Sequence, residues 1–231
     1  MTTLTVSVPD GTFAAYVAQA RTAGPAPAVV VIQEIFGVNA GMRQVCDELA
    51  AQGFTAISPD LFWRTEPGLQ MDDHNPDHWT RALAIYQAYD LDRGVADIAA
   101  TVAAARTLPG TNGRVGVMGF CLGGLLTYLS AAQGAGDAFV AYYGGNTDKH
   151  LGRAAGIARP MLMHLAGADE FIPADAQAAI RAALAGNPHV VIHGYPGRNH
   201  AFARPGGDHY DAADAATANR RTAEFFMTRL R

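Results

Sequence analysis

The sequence predicts an α/β fold, a mostly parallel sheet of about eight strands with helices on both faces. Three observations carry this. Short Val/Ile/Leu/Met runs recur along the chain, helical stretches separate them, and the middle runs are apolar almost without a break. A strand covered on both faces reads that way because neither face meets water. Strand alternating with helix then makes the sheet mostly parallel.

The elements follow in order. "LTVSV" and "AAYVAQA", joined by Pro-Asp-Gly-Thr, read as an N-terminal hairpin. "APAVVVIQE", "FTAISPD", "RVGVMGF", "AFVAYYG", "RPMLMHLAG" and "PHVVIHGYP" read as the remaining strands. Helices are expected near 41–52, 79–89, 91–107, 123–134, 174–186 and 209–230. Pro173 precedes an Ala-rich run with Asp175 in its first turn, and Gly53 closes a helix before Phe54. Between Leu61 and about His78 the chain loses periodicity and turns polar and aromatic. Long irregular loops are usually functional or disordered. Trp63 and Trp79 bracket this one, which favours an ordered cap over the site.

Composition narrows the function. The 231 residues are 49% hydrophobic and 16% charged, enough for one well-cored domain over 1–231 with no linker composition to divide it. A net charge of −4 without a basic stripe argues against nucleic acid. No apolar run reaches membrane-spanning length, and the N-terminus lacks the basic region of a secretory signal. Two cysteines, Cys46 and Cys121, make no disulfide framework, so a cytoplasmic location is expected.

The two cysteines differ. Cys46, near Val45 and Leu49 on a predicted helix, reads as a small core hydrophobe. Cys121 stands in "GRVGVMGFCLGGLLTYLS", where a buried strand breaks at a Gly-flanked residue and runs on into a helix. "GFCLG" fits G-x-S-x-G with sulfur replacing oxygen, the strained strand-to-helix elbow of a nucleophile. The helix N-terminus favours an anion there. Gly119, Gly123 and Gly124 let the elbow turn without clashes. Functional groups in open α/β sheets gather beyond the strands' carboxyl ends. Asp169, after "MLMHLAG", and His200, after "VVIHGYP", sit there too. Nucleophile, acid, histidine is the chain order of α/β-hydrolases. A thiol of pKa about 8.5 is mostly protonated at neutral pH and wants a base. His200 would be that base, with Asp169 fixing its tautomer. His164 and His193 lie within strands and read as structural. His74 and His78 near Asp72, Asp73 and Asp77 invite a metal reading, but an acidic loop without a supporting shell reads as solvated. No metal or cofactor is expected.

From "VVVIQEIFGVN" through "SPDLF", "YQAYD", "GFCLGG", "YYG", "AGADEFIP" and "NHAFAR", nearly the whole chain resembles the dienelactone hydrolase family. The resemblance implies an α/β-hydrolase with Cys121, Asp169 and His200 as the catalytic residues. It gives Glu34 the role of holding the resting thiol until substrate binds, and the Ile35 and Leu122 N–H groups that of an oxyanion hole. Arg204, four residues after His200, corresponds to one of two family arginines that bind a substrate carboxylate. At the other position stands Trp79, with Arg81 two residues on, roughly 200° around an ideal helix. Leu83 replaces a family tyrosine, and Tyr86 keeps an aromatic. Trp79, Arg81, Tyr86 and Phe36 complete the expected substrate contacts. The implied activity is hydrolysis of a small ester or lactone through an acyl-thioester, by a monomer or a homodimer. Two rivals stand beside it: a flavodoxin-like cysteine protein with redox or glyoxal chemistry, and a silent binding module on the same fold.

Overall fold

Alternation in the first fifteen residues sets the sheet's outer edge. In β1 (Thr2–Val8) the inward Val6 is buried while Thr5 and Ser7 face water, and β2 (Gly11–Ala18) answers with buried Phe13 and Ala15. The two pair antiparallel, Val6 opposite Phe13. The structure, a computed structural model, describes residues 2–231. They fall into two compact units that divide between Val117 and Met118.

In the first unit β2 pairs antiparallel with β4 (Thr55–Pro59), and β4 pairs parallel with β3 (Ala26–Ile32). β4 is buried throughout and β3 nearly so, as their unbroken apolar runs require. The helices begin where their caps put them. Asn39 accepts the Met42 N–H to open α1 (Ala40–Ala51), and Asp90 accepts the Arg93 N–H to open α3 (Leu91–Arg106). α2 (Pro76–Gln87) starts three residues before the expected position. Asn75 caps it and Pro76 stands in its first turn, a start signal that outweighs the weak periodicity of the first turn. The preceding loop is ordered from within this unit. Both Asp60 oxygens accept N–H groups, of Phe62 at 3.0 Å and Gly68 at 2.6 Å, and Gln70 bridges to Gly37. Trp63 stacks on Phe13 and donates to Asp97 at 2.9 Å. Arg64 spans Asp97 and Asp10.

β5 (Thr111–Phe120) carries the chain into the second unit. There β6 (Ala138–Tyr142), β7 (Met161–Ala166) and β8 (Val190–Tyr195) run parallel, with Tyr142, His164 and His193 in one row. α4 (Leu122–Gln133), α5 (Ala174–Leu184) and α6 (Ala212–Arg229) complete it. A 3₁₀ segment at Thr147–Gly156, kinked at His150, was not expected; its scattered Gly, Arg and Ala carry no helical stripe. α6 starts at Ala212, where Asp211 accepts the Asp214 N–H. The strand order is β1-β2-β4-β3-β5-β6-β7-β8. No helix among the described residues is long and apolar enough to cross a membrane.

Candidate active site

Cys121 occupies the predicted turn between β5 and α4, with φ 54° and ψ −116°. L-residues rarely adopt that conformation, which costs about 1–3 kcal/mol. Its surroundings hold it there. The Cys121 N–H donates to Tyr142 O at 3.1 Å, and its carbonyl accepts the Gly124 and Leu125 N–H groups. Gly124 is required by close approach: a Cβ there would lie 2.4 Å from Tyr142 O. Leu122 follows as the first residue of α4, where helix amides have no intrahelical acceptor.

Asp169 and His200 come together as expected. The loop after β7 is stitched to the loop after β8 by Gly167 N–H to Tyr195 O and Ala168 N–H to Arg198 O, both 2.8 Å. The His200 Nδ1 meets both Asp169 oxygens, at 3.0 and 2.9 Å, and both side chains are buried. Adjacent Glu170 is exposed. Asp169 also accepts the Phe171 N–H at 2.9 Å, which fixes its carboxylate. His200 Nε2 is buried and meets no hydrogen-bond partner, and the nearby Cys121 side chain acts on the ring's charge.

Burial, the largest single influence on His200, disfavours the imidazolium. The Cys121 charge, the Asp169 hydrogen bond and the further pull of both groups outweigh it, and the pKa is pushed up to about 10. The Cys121 and Asp169 side chains are thus the groups that favour the charged form of His200.

Several residues escaped the sequence reading. Asn199 Oδ1 accepts the His200 N–H at 2.7 Å and the Glu170 N–H at 3.2 Å, joining the acid and histidine loops. Tyr143 and Phe171 set their rings edge-on to His200, at 5.0 and 4.8 Å. Tyr143 and Ala201 also have positive φ, 36° and 62°. An Asn beside the histidine was a legible signal; the two aromatic contacts were not. Arg204 is half-buried in the turn after His200, its N–H on Ala201 O at 3.0 Å.

The other expected residues belong to the first unit. Glu34, Ile35 and Phe36 are buried just after β3. Trp79 packs edge-on against Phe36 and donates to Asp73 O. Tyr86 is half-buried on α2, and Arg81 is in a surface ion pair with Glu66. Cys46 is fully buried, and burial pushes its thiol pKa far up. His164 is a satisfied core residue, bonded to Tyr195 Oη and Thr222 Oγ1 at 2.7 and 3.1 Å. Asp72, Asp73 and His74 lie close together on the surface, where His74 Nδ1 and Asp72 Oδ1 are 3.2 Å apart.

The profile of the dienelactone hydrolase family matches residues 13–230. The chain belongs to the dienelactone hydrolase family. A relative from Azospirillum brasilense, provisionally named a carboxymethylenebutenolidase, is 47% identical over 97% of this chain and 98% of its own. The carboxymethylenebutenolidase of Pseudomonas putida is 41% identical over 94% and 92%. A crystal structure from Klebsiella pneumoniae superposes with a TM-score of 0.84 at 30% identity, covering 98% of each chain. As a dienelactone hydrolase family member, the protein is a hydrolase of the ester and lactone class. That answers the silent-module alternative. The family membership answers the flavodoxin-like alternative as well; strand order does not separate the two, because β4-β3-β5-β6-β7 is the same 2-1-3-4-5 order that such sheets have.

Proposed function

We propose that this hydrolase opens a carboxylate-bearing ester or lactone with Cys121 as nucleophile. The observation that carries the reading is a buried His200 whose Nδ1 is held by Asp169 and whose charged form is favoured by the Cys121 sulfur. The thiolate attacks the carbonyl carbon. The oxyanion that forms is stabilised by N–H groups, Leu122 at the first turn of α4 and, by the family resemblance, Ile35. Collapse expels an alkoxide or enolate, which takes the proton from His200. Neutral His200 then removes a proton from water, the hydroxide attacks the thioester, and the carboxylate product leaves as the thiolate returns. Asp169 holds the tautomer and stabilises the imidazolium without itself taking the proton. No step needs a metal or cofactor.

Arg204 supports a substrate carboxylate. A guanidinium is always charged and binds carboxylate through a rigid fork. The resemblance gives Glu34 the restraint of the resting thiol. So restrained, Cys121 reacts slowly with iodoacetamide, and Glu34→Gln changes that rate; a wild-type thiol alkylated rapidly at neutral pH would favour a resting thiolate–imidazolium pair instead.

A chromogenic ester and a lactone panel test the reading at neutral pH. A burst of product followed by slower turnover, both lost on alkylation of Cys121, is expected. Turnover that survives alkylation would remove Cys121 from the chemistry.

A further inference from the structure

Gln33 is the first residue after β3 and has no exposed surface. Burying a primary amide is costly unless its polar atoms are bonded. Both ends of this one are. Its Oε1 accepts the Leu61 N–H at 3.1 Å, and its Nε2 donates to the Glu34 carbonyl at 3.3 Å. The parallel pairing of β3 with β4 makes the first bond possible. Carried on from Val30 opposite Ile57, the register sets Gln33 beside Asp60, and Leu61 bears the next amide.

The two partners fix which way the amide faces. The Leu61 N–H only donates and the Glu34 carbonyl only accepts, so a flipped amide would set donor against donor and acceptor against acceptor. The Glu34 carbonyl is half of the Glu34–Ile35 peptide. A trans peptide is planar, and its C=O and N–H point in opposite directions. Holding Glu34 O therefore sets the direction of the Ile35 N–H. The loop before α2 steadies the same segment from beyond Ile35, where the Met71 N–H donates to Phe36 O at 2.9 Å.

We infer that Gln33 is a positioning residue for the oxyanion hole. It aims the Ile35 N–H through the Glu34 carbonyl, and it ties that aim to Leu61, where the irregular loop begins. The inference rests on the reading that Cys121 is the nucleophile and the Ile35 N–H an oxyanion donor. Such donors act by being aimed before charge develops, and removing one outright costs about 10²–10³ in kcat. A donor that is misaligned rather than removed should cost less, about ten- to a hundredfold.

The test sets two reactions of the full chain against each other. Hydrolysis of a chromogenic ester passes through an oxyanion. Alkylation of Cys121 by iodoacetamide does not, because sulfur displaces iodide at a saturated carbon. Gln33→Met keeps the bulk and loses both hydrogen bonds. Its kcat and kcat/KM should fall together, about ten- to a hundredfold, while Cys121 is alkylated at the wild-type rate. Gln33→Asn stops one methylene short and leaves room for a water at the Leu61 N–H; it should show the same split, and decides the matter if Gln33→Met does not fold. A Gln33 that only pins Leu61 would lower the melting temperature and leave kcat at the wild-type value. A Gln33 acting through the Glu34 carboxylate would change the alkylation rate along with kcat. Either result would overturn the inference. Were the Cys121 reading itself wrong, wild-type turnover would survive alkylation. Were only the Gln33 inference wrong, the wild-type burst would remain and still be lost on alkylation, so the two failures are distinguishable.

Discussion

His164, in the middle of β7, and His200, in the loop after β8, are both buried and both bonded through Nδ1, yet they titrate in opposite directions. Burial pushes His164 down to about 3, helped by nearby His193 and Arg221, and its own partners are the hydroxyls of Tyr195 and Thr222. Burial also opposes the charge on His200, but Cys121 and Asp169 push it up to about 10. Depth therefore does not decide which way a buried histidine titrates. A neutral hydroxyl satisfies an imidazole without favouring its charged form, whereas the Asp169 carboxylate and the Cys121 side chain do favour it.

The largest test removes one of those two partners. Cys121→Ala should lower turnover by a factor of about 10⁴ or more, as loss of a triad member does, while Cys46→Ala retains most activity. It should also lower the His200 pKa from about 10, read from the imidazole NMR signals. An unmoved His200 would mean that sulfur is not what charges it. Asp169→Asn comes next, with a loss of about 10⁴ in kcat expected from a mis-set tautomer. Glu170→Gln should change little, because that side chain is exposed. If Glu170→Gln proved the damaging change, the acid would be one residue along.

His164 predicts a loss of stability rather than of rate. Its folded pKa lies below the unfolded value of about 6.5, so the neutral ring contributes in full above that pH. As pH falls toward about 3, the unfolded chain takes up a proton that the folded one refuses. Stability should drop by up to about 1.4 kcal/mol per pH unit from this residue, and denaturant titrations of wild type against His164→Gln check it. His200 runs the other way. Its contribution is complete below about 6.5 and lost as pH rises through about 10. A stability optimum between these limits is expected, and Cys121→Ala should flatten its alkaline side.

Arg204→Ala should cost a carboxylate-bearing ester about 1.5–3 kcal/mol of transition-state binding, a ten- to hundredfold loss in kcat/KM. A neutral ester of similar size should lose far less; equal losses would remove carboxylate recognition. Thr222→Val is the smallest change. It strips one partner each from His164 and Tyr142 and should cost about 1–3 kcal/mol of stability with kcat nearly intact.

Much of this was legible because strong local signals agreed. The Val/Ile runs that became β3 and β4, the elbow glycines around Cys121, and a histidine and an aspartate just past strands each had one cheap reading. The boundaries of α2 and α6 were less so, because Asn75 and Asp211 act through single cap hydrogen bonds that periodicity does not register. The contrast between His164 and His200 was half legible. A mid-strand position marked the first as core, but its hydroxyl partners come from Tyr195 and Thr222, 31 and 58 residues away. Separation in sequence hides such pairings. The edge-on rings of Tyr143 and Phe171 were hidden for the same reason.

The backbone of Cys121 has a consequence for selection in the laboratory. At φ 54° and ψ −116° the residue sits where only glycine is at ease, and Cys121→Gly would relieve about 1–3 kcal/mol of strain. The most heat-resistant survivor of a screen blind to turnover could therefore be an inactive one. Directed evolution of this enzyme for thermal endurance has to score chemistry in every round, because the position proposed for the nucleophile rewards its loss.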